Sequence, residues 1–358
     1  MKDFYKGKRV LITGHMGFKG TWLSMMLVDL GATVIGYGRD NQVIPSIFAI
    51  SGVEDDIRSV EGDVCDLDQL KRTFEAYQPE IVFHLAAQPI VRVSYEQPVE
   101  TYQTNVMGTV HVLECIRLFS CVKSFVNVTT DKVYRNLEMN YCYKEEDELN
   151  GFDPYSNSKS CSELVTASYK NSFFQERQIG VSTARAGNVL GGGDFSPDRI
   201  IPDCVRETIL EKSIIVRNPD SIRPYQYVLE ALYAYLLIGA MQFDQPRLGD
   251  CYNIGPEEED CVTTGELVEH FCQEWEGASW INKKQDGPHE AGFLKLDSGK
   301  LKKQFQWKPQ YHIKDSIQAV VEWSKAYEEG QDMALVMKKQ IHDYWERREG
   351  GKIWKELY

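Results

Sequence analysis

The chain has little of what a membrane or secreted protein requires. Its most apolar stretch, residues 231–241, is far shorter than the roughly 20 residues that a helix needs to cross a bilayer. The first residues lead directly into an apolar, strand-like segment and lack the pattern of a signal peptide. We therefore expect no association with membranes and a cytoplasmic location.

Patterned cysteines and basic clusters are also missing. The nine cysteines form no CxxC pair and no His/Cys cluster at the spacing of metal ligands. Such a set is typical of reduced thiols in a cytoplasm, and we expect no metal site. The formal net charge of −13 and the lack of a basic cluster argue against a nucleic-acid partner. A small anionic ligand is compatible with this charge because it needs only a local positive site.

Apolar, strand-like runs alternate with amphipathic, helix-like stretches through the first half of the chain. The runs lie at 9–13, 33–37, 81–86, 124–130 and 180–187, and the helix-like stretches at 18–30, 67–77, 101–119 and 155–176. This alternation predicts a parallel sheet whose two faces are covered by helices. The predicted fold class is α/β, with a Rossmann-like, doubly wound parallel sheet.

The second half is less regular and predicts a smaller, mixed α/β lobe that closes over one edge of the sheet. Residues 199–211 have a helical pattern, residues 213–219 form a strand-like run, and Thr263 and Glu266 have the spacing of a capping box before another helix. The predicted division is a Rossmann domain over 1–187 to which 224–250 returns, a lobe over 188–223 and 251–330, and a helical tail over 331–358.

Three glycines, Gly14, Gly17 and Gly20, follow the first strand-like run and open the next helix-like stretch. Glycines at this point permit a tight turn and a close approach of the backbone to a pyrophosphate at the helix N-terminus. A glycine triplet alone is a weak signal, and its place between a strand and a helix strengthens it. The segment predicts a dinucleotide-binding loop.

Tyr155 and Lys159 are one helical turn apart, so their side chains share one face of the predicted helix. A free phenol has a pKa near 10 and is a poor base at neutral pH. A neighbouring ammonium and the positive nicotinamide of a bound cofactor would lower the pKa of Tyr155. The pair then accepts a hydroxyl proton while a hydride leaves the same carbon. The alternative is an ordinary pairing on a helix surface.

A hydroxyl, a carboxylate and an ammonium stand side by side where the run at 124–130 ends. They belong to Thr130, Asp131 and Lys132. The carboxyl ends of parallel strands carry the ligand sites of such sheets, so these side chains are candidates for chemistry. Taken alone, the segment is equally compatible with a polar loop that carries a chance ion pair.

The GxxGxxG spacing, "EGDVCD" at 61–66 and "HLAAQ" at 84–88 resemble the extended branch of the short-chain dehydrogenase/reductase superfamily. The resemblance implies that Asp63 and Val64 hold an adenine and that the end of the fourth strand lines the cofactor. The cofactor-binding residues that it implies are Gly14, His15, Gly17, Phe18, Lys19, Gly20, Asp63, Val64, Leu85, Ala86, Ala87, Tyr155 and Lys159. His15 and His84 are expected to be structural and not to act as bases.

The acidic residue that grips the adenine ribose in this superfamily has no obvious counterpart here. Tyr37 stands at the expected position, Asp40 serves only if the loop bends back, and Arg39 would favour a 2′-phosphate. NAD is expected rather than NADP, mainly because of the following resemblance.

Over about residues 4–327 the chain resembles the CDP-glucose branch of the nucleotide-sugar 4,6-dehydratases. The segments that carry the resemblance are "GHMGFKG", "TTDKVY", "AAQPIVRVSY", "TNVMGT", "RAGNVLGGGDFSPDRIIPD", "RNPDSIRPYQYVLE" and "YNIGP". The resemblance implies dehydration of CDP-D-glucose to CDP-4-keto-6-deoxy-D-glucose, a step of deoxysugar biosynthesis such as that for lipopolysaccharide O-antigen. The Asp-Lys order belongs to this branch, whereas related dTDP- and GDP-hexose dehydratases carry Asp-Glu.

The resemblance also implies a role for each polar residue of the centre. Thr130 hydrogen-bonds the reacting sugar oxygen. Tyr155, with Lys159, accepts the C4 hydroxyl proton while the cofactor takes the C4 hydride. The C4 ketone acidifies the C5 proton, so that Lys132 acts as the C5 base and Asp131 as the acid that protonates the leaving C6 hydroxyl. This requires Asp131 to be protonated and Lys132 neutral at the moment of transfer.

Asn188, Arg199 and Arg223 match positions that this branch places near the sugar nucleotide, and an arginine fork suits a diphosphate. Both arginines are also compatible with surface salt bridges. Tyr225, Tyr227 and Phe195 depart from the aromatic residues usual in the branch, which puts fine substrate specificity in doubt more than the reaction.

Two rival functions stay open on the sequence. One is a nucleotide-sugar 4-epimerase or reductase that uses only Thr130, Tyr155 and Lys159, and the other is a regulator that binds NAD(P) without turnover. A homodimer or homotetramer is expected, because the helix-like stretches 101–119 and 155–176 are apolar on more than one side.

Overall fold

The computed structural model describes residues 1–39, 45–283 and 292–349. Its centre is a seven-stranded parallel sheet in the order β11-β7-β5-β4-β1-β2-β3. The strands of the described chain are β1 Arg9–Thr13, β2 Thr33–Gly38, β3 Arg58–Glu61, β4 Ile81–His84, β5 Ser124–Val128, β6 Cys142–Tyr143, β7 Gly180–Ala186, β8 Val189–Leu190, β9 Ile214–Val216, β10 Gln226–Tyr227, β11 Cys251–Ile254, β12 Trp280–Asn282 and β13 Lys295–Leu296. The predicted doubly wound α/β fold is confirmed.

Helices cover both faces of the large sheet. They are α1 Lys2–Tyr5, α2 Phe18–Asp29, α3 Ile47–Ser51, α4 Leu67–Tyr77, α5 Val91–Glu96, α6 Pro98–Tyr102, α7 Gly108–Leu118, α8 Pro154–Tyr169, α9 Ile200–Ile209, α10 Val228–Asp244, α11 Thr264–Glu274, α12 Gly299–Phe305, α13 Ile313–Glu328 and α14 Met333–Glu349. Gln103–Met107, between α6 and α7, and Lys170–Phe174, after α8, are π-helical. The stretch predicted at 101–119 is therefore a helix with a π-helical segment.

The apolar runs become strands because successive side chains enter two different cores. Val10 and Ile12 belong to the core formed with α2 and α10, whereas Leu11 belongs to the core formed with α4 and α7. A strand buried on both faces requires a continuous apolar run rather than an alternating one. This explains why the central strands were evident in the sequence.

The sheet reverses its winding between β1 and β4. Strand β1 pairs with β2 on one side, at Val10↔Val34, and with β4 on the other, at Val10↔Ile81. The chain adds β3 beyond β2 and then crosses back to β4. A crevice at the carboxyl ends of the strands at such a reversal is the usual ligand site of this architecture.

A second lobe follows the sheet domain. Short parallel strand pairs, β10–β8, β12–β9 and β13–β6, accompany α9, α11 and α13. Leu267 and Phe271 of α11 pack with Ile317 and Val320 of α13 in a separate core. The predicted capping box at the start of α11 is confirmed, since the Thr263 hydroxyl and the Glu266 carboxylate each accept from the other's backbone N–H.

The predicted division places residues 251–330 in the second lobe, but β11, Cys251–Ile254, is the edge strand of the large sheet. It pairs with β7 from Cys251↔Thr183 to Ile254↔Ala186. That part of the boundary was wrong, because β11 has the sequence CYNI, in which polar Asn253 interrupts the apolar residues and leaves no continuous apolar run. The other boundaries stay predictions.

Helix α14 lies within the predicted tail and packs against the sheet domain. Met337, Ile341 and Tyr344 are buried in the core that contains α10, and the Tyr344 hydroxyl donates to Glu230 Oε2 at 3.0 Å. Residues 350–358 of the predicted tail lie outside the described residues. Among the helices described, none has the length and apolar character needed to cross a membrane.

Candidate active site

A cavity of about 540 Å³ lies between the carboxyl edge of the large sheet and the second lobe. Thr130, Lys132 and Tyr155 line it from the sheet domain, and Arg199 and Arg223 from the chain beyond β7. Side chains from distant parts of the sequence meet here because parallel strands place all their carboxyl ends at one edge.

The glycine loop turns tightly against the end of β4. Gly14 has φ +74°, and a Cβ there would lie 2.7 Å from Ala86 N, so a side chain would both strain and clash. Gly17 is different: it caps α2 at its N-terminus, and the nearest atom to its Cβ would be 3.4 Å away. The chain's own packing does not require glycine at Gly17, whereas close approach of a pyrophosphate to a helix N-terminus does. The loop therefore fits a dinucleotide.

The end of β4 runs beside this loop. The backbone N–H of Leu85 donates to Thr13 O at 3.1 Å, and that of Ala86 donates to Thr13 Oγ1 at 3.3 Å. Leu85, Ala86 and Ala87 are half-buried. They are placed to line a ligand, while their role toward the cofactor stays a prediction.

Tyr37 is a core residue. Its ring is buried, and its hydroxyl donates to the backbone oxygen of Asp63 at 2.9 Å. Arg39 is engaged by two carboxylates, with Nη1 3.4 Å from Asp63 Oδ2 and Nη2 2.7 Å from Glu100 Oε1. Asp40, the other candidate for the ribose, lies outside the described residues. Val64, next to Asp63, is buried.

His15 and His84 are both held in the interior. His15 Nε2 lies 2.8 Å from Ser59 Oγ, and burial lowers the pKa of His15 to about 4. His84 bridges Thr13 at 2.7 Å and Thr109 at 3.2 Å, and burial lowers the pKa of His84 to about 3. Both imidazoles are therefore neutral packing groups at pH 7, and the cofactor contact implied for His15 stays a prediction.

Tyr155 and Lys159 project from α8 toward the end of β5. Thr130 lies near Tyr155 and acts to lower the pKa of Tyr155, and Lys159 Nζ donates to Val128 O at 3.0 Å. Burial raises the pKa of Tyr155 to about 12, and the contacts with Thr130 and Arg199 oppose that rise. Burial also lowers the pKa of Lys159 to about 8. Within the protein itself, burial thus outweighs the lowering of the Tyr155 pKa that was expected from sequence.

Asp131 and Lys132 form a short 3₁₀ turn directly after Thr130. Thr130 Oγ1 donates to Asp131 Oδ1 at 2.9 Å, so the hydroxyl that lies near Tyr155 is hydrogen-bonded to the Asp131 carboxyl group. Lys132 Nζ lies 3.5 Å from Asp131 Oδ1 and 3.3 Å from Asn188 Oδ1. The other oxygen, Asp131 Oδ2, is buried without a hydrogen-bond partner among the described residues. A buried carboxyl group and a cavity-lining amine are not the chance surface pair that the sequence left open.

Lys19 reaches the same centre from the start of α2. It lines the cavity, and its electrostatic neighbours include Lys159, Arg199, Asp131 and Lys132. Burial, and then the positive charge of Lys159, lowers the pKa of Lys19 to about 7. From the sequence, Lys19 was predicted only as a member of the glycine loop. The spacing of the glycines does not show where the amine of a long lysine side chain lies. Phe18, its neighbour in that loop, is half-buried.

The three predicted substrate residues all line the cavity, with different partners. Asn188 accepts from Lys132, Arg199 Nη1 pairs with Asp194 Oδ2 at 2.9 Å, and Arg223 Nη1 donates to Ile222 O at 3.1 Å. Their contacts with a substrate stay predictions.

Two further arginines of the cavity wall were missed. Arg92 and Arg217 both pair with Asp198 Oδ1, at 3.4 Å and 3.1 Å. They lie in segments quoted for the family resemblance, "VRVSY" and "RNPDSIRP", but a lone arginine in a loop carries no signal of where it points. Together they make this wall of the cavity rich in positive charge.

Among the described residues, Glu259, Asp260 and His312 are close enough together to hold a cation. They already bind one another and the backbone: His312 Nδ1 lies 2.9 Å from Asp260 Oδ2, and Asp260 Oδ1 accepts from Ile313 N. Their evident task is to cap α13.

A family model described as GDP-mannose 4,6 dehydratase matches residues 11–320. The chain belongs to this family. CDP-glucose 4,6-dehydratase of Salmonella typhimurium is 44% identical over 96% of this chain and 98% of that protein, and dTDP-D-glucose 4,6-dehydratase of Mus musculus is 28% identical over 88% of each. The predicted membership of the nucleotide-sugar 4,6-dehydratases, which are hydro-lyases, is confirmed.

Solved structures of nucleotide-sugar enzymes share the fold of this family member. UDP-glucose 4-epimerase of Thermotoga maritima, with UDP-glucose, superposes with a TM-score of 0.77 at 20% identity, covering 89% of this chain and 99% of that one. dTDP-glucose 4,6-dehydratase of Bacillus anthracis, in complex with NAD, gives 0.75 at 23% identity, covering 91% and 99%. At these identities the likeness establishes the architecture alone.

Proposed function

We propose that the protein dehydrates CDP-D-glucose to CDP-4-keto-6-deoxy-D-glucose with NAD as its cofactor. The observation that carries the proposal is that Thr130, Lys132 and Tyr155 line one cavity with Lys19 of the glycine loop, while Asp131 is buried and hydrogen-bonded to Thr130. The 44% identity to a CDP-glucose 4,6-dehydratase favours CDP over other nucleotides.

The glycine loop, Asp63, Val64 and the segment Leu85–Ala87 would hold the cofactor. NAD, when bound there, supplies the acceptor for the C4 hydride and returns that hydride to C6. NAD is favoured over NADP because the guanidinium of Arg39 is already paired with Asp63 and Glu100. A 2′-phosphate would have to displace both carboxylates.

We assign the oxidation step at C4 to Tyr155, Thr130 and Lys159. Tyr155 accepts the C4 hydroxyl proton, while Thr130 hydrogen-bonds the same oxygen. Burial raises the pKa of Tyr155, and Thr130 and Arg199 oppose that rise. In the proposed mechanism the ammonium of Lys159, one helical turn away, further stabilises the phenolate. The C4 ketone then acidifies the C5 proton.

We assign the elimination of water to Asp131 and Lys132. Lys132 accepts the C5 proton, and Asp131 donates a proton to the C6 hydroxyl, which leaves as water. After the hydride has returned to C6, Lys132 gives its proton back to C5. Tyr155 has then gained one proton and Asp131 has lost one.

Thr130 can close this cycle. Its hydroxyl donates to Asp131 Oδ1 and lies near Tyr155, which suits transfer of a proton from the phenol through the hydroxyl to the carboxylate once the substrate is bound. The net change is the loss of one water from the sugar, with no net change in the cofactor.

The direct test is a mass spectrum of CDP-glucose after incubation with the protein and NAD⁺, beside dTDP-, GDP- and UDP-glucose. Loss of one water from CDP-glucose, without net NADH, is the expected result. An unchanged mass with an altered C4 configuration would indicate the rival 4-epimerase, and no change in any sugar would indicate the non-catalytic regulator.

We further propose a cytoplasmic homodimer or homotetramer. All nine cysteines are free, which favours a reducing compartment. Val99, Met107 and Leu164 expose apolar surface on neighbouring parts of α6, the following π-helical segment and α8. An apolar face of two adjacent helices is suited to packing against the same face of a second copy. The use of the product in deoxysugar biosynthesis stays a prediction.

A further inference from the structure

Glu163 is a buried carboxylate close to the reacting groups, and no step of the mechanism uses it. It lies on α8 one turn beyond Lys159, and its side chain is 3% exposed. Its Oε1 accepts from Thr129 Oγ1 at 2.5 Å, and its Oε2 accepts from Thr183 Oγ1 at 2.6 Å and from Arg185 Nη2 at 2.9 Å. A buried charge with this many donors is fixed in place.

The Thr129 contact connects Glu163 to the reacting turn. Thr129 directly precedes Thr130, and its backbone N–H donates to Ala184 O at 2.9 Å. Glu163 thereby ties the ends of β5 and β7 to α8 where the 3₁₀ turn begins. A shift of Thr129 would displace the hydroxyl of Thr130, and displacements of about 1 Å at such sites are costly to catalysis.

The second connection is electrostatic and runs to Lys159. Burial lowers the pKa of Lys159, and the negative charge of Glu163 opposes that effect. The other ionisable groups that face Lys159 are Lys19 from α2, His84 from β4 and Tyr155 on its own helix. Lys19, whose pKa is lowered to about 7, supplies no negative charge and His84 is neutral, so Glu163 is the anion among these groups that favours the ammonium form.

We propose that Glu163 is a positioning residue for the reaction, which fixes Thr130 through Thr129 and keeps the amine of Lys159 protonated. The inference rests on the proposed function, in which both residues serve C4 oxidation. Glu163 acts through these two neighbours and contacts no substrate atom.

The test is the Glu163→Gln variant, which preserves shape and removes the charge. We expect the alkaline limb of its kcat–pH profile to move down by about one pH unit or more. The titration of Lys159, followed by NMR of isotope-labelled lysine side chains and assigned with Lys159→Ala, should move by the same amount. At the pH of the wild-type limb, kcat should fall about fivefold or more.

Three variants separate this role from a purely structural one. Glu163→Asp keeps the charge and should restore the Lys159 titration. Thr183→Val removes a hydrogen bond to the same carboxylate without changing its charge and should leave both pH profiles in place. Because Glu163→Gln leaves Arg185 buried and unpaired, Glu163→Gln/Arg185→Met removes both charges and carries the test if the single variant does not fold.

An unshifted Lys159 titration in a folded Gln variant would overturn the proposal, as would equal losses of kcat in Glu163→Gln and Thr183→Val without a pH shift. A different result would show that the proposed function itself is wrong. In that case the wild-type protein dehydrates no nucleotide sugar, while the NMR titration still reports whether Glu163 controls the protonation of Lys159.

Discussion

At the scale of single residues, the hydroxyl of Thr130 is the point where the two halves of the chemistry meet. It donates to Asp131, the group proposed for elimination, and lies near Tyr155, the group proposed for oxidation. Thr130–Lys132 are consecutive, so one short turn after β5 carries the residues proposed as oxygen ligand, acid and base.

Because the two steps use different residues, they should be separable by mutation. In Asp131→Asn and Lys132→Met, we expect dehydration of CDP-glucose to fall by about 10²- to 10⁴-fold, the usual contribution of a general acid or base. Oxidation at C4 should persist, so NADH should accumulate in a single turnover, as measured by its absorbance.

Arg135→Gln is the matched control for this pair, because Arg135 follows the same turn but is 59% exposed and pairs with Glu148 at the surface. Its kcat should stay within about twofold of wild type, since exposed ion pairs contribute little. Loss of both NADH formation and dehydration in the Asp131 and Lys132 variants would contradict separate roles.

The buried histidines give the stability of the protein a defined acid dependence. His84 has a folded-state pKa of about 3 against 6.5 in the unfolded chain, so below pH 6.5 the unfolded state binds the proton first. The free energy of unfolding therefore decreases as pH falls from 6.5 toward 3, by up to about 1.4 kcal/mol per pH unit for this group. In chemical denaturation, His84→Gln should show a shallower decrease, and an identical slope in both proteins would refute the assignment.

The residues of the centre could be predicted from sequence, whereas their partners could not. Tyr155 and Lys159 have helical spacing, and Thr130–Lys132 are adjacent, so local geometry already placed each set together. Lys19 lies far from both in sequence, and only the packed fold shows its amine beside Lys159. Burial, which raises the pKa of Tyr155 in the protein itself, could not be predicted from the helical spacing, and the lowering expected with bound cofactor stays a prediction.

At the scale of elements, the glycine loop between β1 and α2 offers the sharpest contrast. Gly14→Ala forces a side chain onto a residue with φ +74° and into Ala86. We expect it to lower the thermal unfolding temperature and to abolish NAD binding together, as measured by calorimetry of both processes.

Gly17→Ala is the companion variant, because its Cβ would have room within the protein. It should unfold at nearly the wild-type temperature and yet bind NAD at least about tenfold more weakly, since a methyl group would stand before the helix N-terminus. Normal NAD affinity in a folded Gly17→Ala protein would argue against a pyrophosphate at that position.

How readily each strand could be predicted from the sequence depends on how far the strand is buried. Strands β1, β5 and β7 are buried along nearly their whole length and appear as apolar runs. Strand β3, Arg58–Glu61, is at the sheet edge with its ends exposed, and its sequence RSVE has no apolar run. Tertiary pairing alone makes it a strand, so the sequence pattern did not predict it.

At the scale of the whole molecule, the apolar face of α6 and α8 leads to a prediction about assembly. Leu164→Glu places a charge in the proposed interface and should convert the assembly to a smaller species, as measured by light scattering during size-exclusion chromatography. Leu210→Glu is the matched control, because Leu164 and Leu210 are both 58% exposed and Leu210 follows α9, on the second lobe. Equal masses for Leu164→Glu and wild type would exclude this face as the interface.

In the proposed catalytic cycle, C4 is oxidised, water leaves across C5–C6 and the same hydrogen returns to C6, all within one cavity. The most direct measurement follows the label of CDP-[4-²H]glucose mixed with an equal amount of unlabelled substrate, with NMR to locate deuterium in the product. We expect a dehydrated 4-keto product in which deuterium has moved from C4 to C6 within the same molecule. Deuterium lost to solvent, or retained at C4 of a sugar that has not lost water, would contradict it.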